Sequence, residues 1–207
     1  MAIDFYTNPM SRGRIAHWML EEIGAPYTTH WTPYGPEGHK SPAYLAVNPM
    51  GKLPTIVHDG KVVTETAAIC LYLADVFAGA GLGPTPEEKA DYYRWILFAA
   101  GPVEQAVTSK AMGWVPTQEK RGMLGFGTFE QTITVLEDLL KSRDYVCGAR
   151  FTAADVYLGS QVGWGLQFGT IDKTPAFEGY AARLMERPAY KRTGEINNAK
   201  AVEMQAG

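Results

Sequence analysis

A glycine- and proline-rich stretch, Gly79 to Pro86 (GAGLGPTP), separates two parts of the chain that differ in hydrophobic period. Before it, short β-prone runs alternate with helical patterns. After it, strand signals nearly vanish and helical spacing remains. This change of period points to a small α/β domain followed by an all-helical one. The chain has 207 residues, which suits one or two domains with a core large enough to need no staples. The stretch also offers glycines spaced as G-x-G-x-G. It follows a helix rather than a strand, so a nucleotide-binding loop is disfavoured.

In the first part, Ala2 to Thr7 reads as a strand. A helix follows from about Ser11 to Ile23, with Ile15, Trp18, Met19 and Ile23 on one stripe. Gly24 suits the left-handed position beyond its end, and Pro26 lies just after. Tyr27 to Thr32 is a second strand. Pro33 to Pro42 is a loop, Ala43 to Val47 a turn of helix, and Asn48 to Pro54 a second loop. Thr55 to His58 and Lys61 to Thr64 flank Asp59-Gly60, a strong hairpin signal. Glu65 to Phe77 is helical. In the second part, one long helix is expected from Glu87 to about Trp114, kinked at Gly101-Pro102. Further helices are expected at Gly122 to Leu140, Thr152 to about Phe168, and once or twice after Pro175. Thr152 and Asp155 have capping-box spacing, with Phe151 and Val156 placed for a hydrophobic staple. The expected domains are 1–78, a linker at 79–86, and 87–207.

Charge and composition exclude several classes. Lys plus Arg number 19 and Asp plus Glu 22, a net charge of -3. This argues against a basic footprint for nucleic acid and against docking on an anionic membrane. No apolar run reaches the roughly 18 residues of a membrane span; Ala67 to Ala74 is stopped by Asp75. The start, MAIDFYTNP, lacks a signal-peptide pattern. With two cysteines, Cys70 and Cys147, a disulfide framework is not expected and a reducing cytoplasm fits. Both cysteines read as small buried hydrophobes. His17, His30, His39 and His58 show no ligand spacing and there is no C-x-x-C, so no metal is expected. Neither a G-x-S-x-G elbow nor a P-loop is present.

The remaining chemistry lies at loop-to-helix junctions of the first domain. Ser11 stands where the first strand becomes a helix. It serves there either as a cap or as a hydrogen-bond donor to a bound anion. Arg12 and Arg14 are nearby cations. Glu65-Thr66 opens another helix. Glu65 is either a favourable first-turn charge or the receiver of an ammonium group, with Thr66 and the helix amides taking a carboxylate beside it. Lys52-Leu53-Pro54 is an extended turn. A cis bond there would present the Leu53 backbone to an extended peptide.

These residues in order are Tyr6, Ser11-Arg12, Trp18, His39, Asn48-Pro49-Met50-Gly51-Lys52-Leu53-Pro54-Thr55 and Glu65-Thr66-Ala67-Ala68-Ile69. With Phe151-Thr152-Ala153-Ala154-Asp155, they resemble a cytosolic glutathione S-transferase of serine-type, theta-like or related bacterial class. The resemblance spans nearly the whole chain. It implies a thioredoxin-like N-terminal domain, an all-α C-terminal domain, a homodimer, and a role in detoxification. It implies that Leu53 pairs its backbone with the cysteinyl part of glutathione, beside a cis Pro54. Glu65 and Thr66 would hold the γ-glutamyl end, Thr66 standing where many relatives have Ser. His39 and Lys52, with Lys40 as a substitute, would reach the glycyl carboxylate. The Met-Ser-Arg context favours Ser11 as the group that activates the thiol; Tyr6 and Asn8 are the alternatives. Glutathione enters as co-substrate, without a metal.

Mechanistically, the thiolate would attack a small hydrophobic electrophile. A site for it is expected between the domains, walled by Met10, Met112, Trp114, Trp164 and Phe168. Two other readings remain. One is a relative that reduces peroxides, dehalogenates, cleaves ethers or isomerises. The other is a non-catalytic protein that binds glutathione or hydrophobic ligands. The absence of a cysteine near Ser11 disfavours a mixed disulfide with the protein.

Overall fold

The computed structural model of the protein describes residues 2–206. Its contacts divide the chain into two units: Met1–Gly81 with Glu186–Gly207, and Leu82–Met185.

In the first unit, strand β1 (Ile3–Thr7) buries alternate residues, as a period of two requires. Ile3, Phe5 and Thr7 face one side, and Asp4 and Tyr6 the other. Helix α1 (Gly13–Ile23) buries Ile15, Trp18, Met19 and Leu20, and Gly24 ends it at φ 66 with its N–H on the Leu20 carbonyl. Strand β2 (Tyr27–Trp31) then lies parallel to β1, as a helical crossover allows. Helix α2 (Pro42–Val47), capped by Ser41, leads to the hairpin of β3 (Thr55–His58) and β4 (Lys61–Val63). Asp59 and Gly60 have φ 49 and 77, the left-handed pair of a tight hairpin turn. Helix α3 (Thr66–Val76) follows. The sheet order is β2-β1-β3-β4, with β3 antiparallel to β1 and to β4.

One sheet face carries the core. Phe5 meets the His17 ring of α1 edge-on at 5.4 Å. Ile3, Phe5 and Ile56 are fully buried, as are Ile69, Cys70 and Leu73 of α3. On the other face, Tyr6 stacks on His30 at 4.6 Å and tilts against Tyr44 of α2 at 5.7 Å.

The last helix, α9 (Pro188–Ala206), belongs to this first unit, whereas the sequence placed everything after 87 in the helical domain. The reason is polar. Arg187 makes a two-point ion pair with Glu22 at 2.6 and 2.7 Å. Arg192 pairs with Glu21, and Asn197 donates to His17 Nδ1 at 2.9 Å. Among the described side chains of α9, the buried ones are Thr193 and Asn197, so no buried apolar stripe marks where it docks.

The second unit is all helical. Where one long kinked helix was expected, there are α4 (Lys89–Phe98), a wider π-turn over Ala99–Val103, and α5 (Glu104–Ala111). Pro102 lies inside that turn; lacking an N–H, it cannot serve the regular ladder. Helix α6 (Phe129–Ser142) starts seven residues later than expected. Thr128 sits at φ -126 and ψ 156 and accepts the Gln131 N–H at 3.1 Å, a cap that fixes the start. A short 3-10 turn over Gln118–Met123 precedes it. Helix α7 (Ala153–Phe168) opens with the expected Thr152/Asp155 capping box and is buried over most of its first three turns. Helix α8 (Pro175–Met185) completes the unit. Among the described residues, no helix is long and apolar enough to cross a membrane.

Candidate functional site

Strand directions bring four chain segments to one end of the sheet. Thr7 lies opposite Trp31 in the parallel pair, so the segments after β1 and β2 leave the same end. Tyr6 pairs with Thr55, so the segment before β3 arrives there. Val63 pairs with Ile56, so β4 returns to that end and hands over to Glu65. Asn8, Met10, Ser11, His39, Lys40, Lys52, Leu53, Pro54, Glu65 and Thr66 therefore share one rim of the sheet.

The segment from Thr7 to Ser11 is held at successive carbonyls. The Thr32 N–H donates to the Thr7 carbonyl at 2.7 Å, and the Ser11 N–H to that of Asn8 at 3.0 Å. Arg14 Nε donates to the Pro9 carbonyl at 2.5 Å, and the Tyr34 hydroxyl to that of Met10 at 3.2 Å. The buried Asn8 amide donates to the Thr32 carbonyl at 3.1 Å and accepts the Met10 N–H at 2.9 Å. Asn8 is thus occupied in shaping the loop.

Ser11 is half-buried, and its hydroxyl has two partners. It donates to the Asn8 carbonyl at 2.8 Å and accepts the Gly13 N–H at 2.9 Å. It therefore closes a local turn just ahead of α1, whose N-cap position, Arg12, has no side-chain cap and which begins two residues later than the sequence suggested. Rotation about Cβ–Oγ would redirect its proton without moving the backbone. The Tyr6 ring, between His30 and Tyr44, lies on the sheet face away from α1.

The Leu53–Pro54 bond is cis. The turn is fixed from beneath. The Lys52 carbonyl accepts from Asn48 Nδ2 at 2.9 Å and from the Tyr44 hydroxyl at 2.5 Å. Both groups also reach Thr55 Oγ1. Burial pushes the Tyr44 phenol up, so it remains a donor at neutral pH. Leu53 lies outside the β1–β3 ladder, which starts at Thr55.

His39 and Lys40 belong to the loop after β2. His39 Nδ1 accepts the Gly35 N–H at 2.9 Å, which leaves the ring proton on Nε2. Lys40 Nζ donates to the Met50 carbonyl at 3.1 Å and ties the two loops together. Gly51 lies beneath that tie at φ 56, where a Cβ would be 2.7 Å from Lys40 Nζ. Lys52 is exposed.

Helix α3 has no side-chain cap, unlike α2 and α6. Its first amides have no intrahelical partner. Glu65 before it holds φ 64 and ψ 116, a conformation uncommon outside glycine, and is exposed. Thr66, the first helical residue, is buried. The rim thus offers a carboxylate, two helix entries, a serine hydroxyl and a cationic loop.

The other expected residues fall as follows. Met10 is exposed on the rim. Met112 and Trp114 are exposed just beyond α5, Phe168 is exposed at the end of α7, and Trp164 is half-buried one turn earlier. Sequence reasoning missed Tyr34 and Asn198 as loop-shaping residues, and read Arg14 only as a nearby charge. Tyr34 carried no periodic signal, and the Asn198–Arg14 bond spans 184 residues of chain.

The glutathione S-transferase N-terminal domain profile matches residues 10–76, and the C-terminal domain profile matches 104–164. Glutathione S-transferase A of Pleuronectes platessa is 30% identical over 163 residues, covering 74% of this chain and 72% of that protein. A glutathione transferase of Methylococcus capsulatus has a TM-score of 0.78 at 26% identity, covering 95% of this chain and 99% of that one. The theta class glutathione S-transferase of Xanthomonas axonopodis pv. citri was solved with glutathione bound. It has a TM-score of 0.73 at 29% identity, covering 92% and 96% of the two chains. With both domain profiles matched in order on a four-stranded mixed sheet and a helical unit, the chain belongs to the glutathione S-transferase family.

Proposed function

We propose that the protein is a glutathione transferase that binds glutathione along the rim of the sheet and delivers its sulfur as thiolate. The observation that carries this is the convergence of the Ser11 loop, the cis-proline turn and the uncapped α3 entry at one sheet end. Leu53 pairs its backbone with the cysteinyl unit. The Glu65 carboxylate takes the γ-glutamyl ammonium group, and Thr66 with the α3 amides takes its carboxylate. His39, Lys40 and Lys52 face the glycyl carboxylate.

Ser11 is the donor to sulfur. A free cysteine thiol has a pKa of about 8.5, so only a few per cent is thiolate at pH 7. A hydroxyl donor beside a helix entry favours the charged form, each unit of depression being worth about 1.4 kcal/mol. The thiolate then attacks a small hydrophobic electrophile. No covalent intermediate with the protein is needed. Cysteine chemistry fits poorly: Cys70 is fully buried in α3, and burial pushes the Cys147 thiol up to about 11. The finer proposals are a homodimer, a cytoplasmic setting and a part in detoxification.

One observation favours a second reading. The Ser11 hydroxyl is already engaged within its own turn, as it would be in a protein that binds glutathione without activating it. Titration of the bound thiolate by its ultraviolet absorbance separates the two. The expected result is a depressed thiol pKa in the wild type that returns toward the free value in Ser11→Ala. Tight binding with an unshifted pKa would establish the binding protein instead. A shift retained in Ser11→Ala but lost in Tyr6→Phe or Asn8→Ala would move the role to that residue.

A further inference from the structure

Arg14, in the first turn of α1, joins two parts of the chain that are far apart in sequence. Its Nε donates to the Pro9 carbonyl at 2.5 Å. Its Nη2 donates to Asn198 Oδ1 on α9 at 2.9 Å. Pro9 has no N–H, so its carbonyl is its one backbone hydrogen-bonding group, and Arg14 holds it. That carbonyl lies between Asn8, whose own carbonyl takes the Ser11 hydroxyl proton, and Met10, whose carbonyl takes the Tyr34 proton. The Ser11 hydroxyl thus closes the turn from within, the Tyr34 hydroxyl holds it from the loop after β2, and Arg14 ties it to the far end of the chain.

We propose that Arg14 and Asn198 form a positioning pair that fixes the Asn8–Ser11 turn, so that the C-terminal helix sets the direction in which Ser11 presents its hydroxyl to the sulfur of glutathione. This rests on the reading of Ser11 as the donor to sulfur. The guanidinium suits the task because its planar fork serves two acceptors in different directions, which an ammonium group on a flexible stem does not reproduce. Held only at Pro9, Arg14 regains rotamer freedom and its hold on the turn loosens.

The docking of α9 does not depend on Asn198. It is secured by Glu22–Arg187, Glu21–Arg192, Asn197–His17 and the edge contact of Trp18 with Tyr190 at 5.0 Å. Asn198 is exposed, so trimming it leaves the core intact. This allows positioning to be separated from folding.

The experiment uses the full chain with glutathione and an activated aryl halide. It compares wild type, Ser11→Ala, Asn198→Ala, Asn198→Asp, Arg14→Lys and Arg187→Met. The readouts are the bound thiol pKa from thiolate absorbance, kcat and KM for glutathione, and the thermal midpoint. Asn198→Ala is expected to move the thiol pKa toward the free value by about half a unit and to lower kcat about threefold, with KM changed less than about twofold. Arg14→Lys should do the same or more. Asn198→Asp keeps an acceptor for the guanidinium and should restore the wild-type pKa. Arg187→Met should lower the thermal midpoint and leave the thiol pKa unchanged. If Ser11→Ala shifts the thiol pKa while Asn198→Ala does not, the positioning pair is overturned and the Ser11 reading stands. If Ser11→Ala itself leaves the thiol pKa unchanged, both fall.

Discussion

Gly13 shows how closely the rim is built. A Cβ at that position would lie 1.9 Å from Thr7 Oγ1 and 2.9 Å from Ser11 Oγ. Helix α1 can start directly above the end of β1 only because that Cβ is missing. Thr7 is fully buried, and its hydroxyl has no hydrogen-bond partner, so the space was not arranged to satisfy a polar group. Gly13→Ala is expected to destabilise the protein by about 1–3 kcal/mol through overpacking, measured by urea unfolding. Thr7→Ala in the Gly13→Ala background should recover part of the loss, because it removes the clashing atom and an unpaired buried hydroxyl. The coupling expected in the double-mutant cycle is about 1 kcal/mol or more. Strict additivity would mean that the Thr7 contact is not what demands glycine.

At the scale of elements, α7 has the most strongly specified start. Asp155 accepts four hydrogen bonds. The Val146 N–H and the Tyr180 hydroxyl reach Oδ1 at 2.7 and 2.9 Å, and the Thr152 N–H and hydroxyl reach Oδ2 at 2.9 and 3.1 Å. Thr152→Ala removes one donor and a cap, a loss of about 1 kcal/mol. Asp155→Ala leaves two backbone amides and a tyrosine hydroxyl without their acceptor in a buried place, a loss of about 3 kcal/mol or more. Thermal midpoints of the two variants should therefore fall in that order, and equal shifts would show that Asp155 acts only through Thr152. This cap was legible because its signals are local: three residues apart, beside an apolar run. The α1 stripe and the Asp59-Gly60 hairpin were legible for the same reason, whereas the cis bond at Pro54 was implied by the family resemblance. The start of α6 was not, because helical spacing carried the reading back through Gly122, Gly125 and Gly127, past the Thr128 cap. The seat of α9 was not legible either. Its buried residues, Thr193 and Asn197, are polar, and the partners that hold the helix through Arg187, Arg192, Asn197 and Asn198, namely Glu22, Glu21, His17 and Arg14, lie more than 160 residues earlier. Within the candidate site, the residues that would face a ligand carry motif signals. Those that shape the loop from behind, Tyr34 and Asn198, carry none.

On the scale of the whole molecule, each unit contains a buried titratable group, and the two respond to acid in opposite directions. In the first unit, His17 of α1 is enclosed by Asn197 of α9, Tyr27 and Trp31 of β2 and Phe5 of β1. Burial lowers its pKa and the charge on Arg14 lowers it further, while Glu21 and the Asn197 bond raise it in part. The unfolded chain therefore takes up this proton first, near pH 6.5. The unit loses stability as pH falls below that value, by at most about 1.4 kcal/mol per pH unit. In the second unit, burial raises the Asp155 carboxyl to about 6 against the pull of its four donors. Here the folded state takes up the proton first. Stability is gained as pH falls from about 6 toward the unfolded value of about 3.9, and is lost again as pH rises. Between pH 7 and pH 5 the first unit should weaken and the second should strengthen. Segment-resolved amide exchange, corrected for the intrinsic rate at each pH, reads the two separately. Protection should decrease in α1 and β2 and increase in α7 and α8. His17→Gln should remove the first trend and leave the second, and Asp155→Asn should do the reverse. If protection in the wild type moves in the same direction in both units, at least one of these groups does not titrate as its surroundings dictate, and the unchanged trend in one of the two variants identifies which.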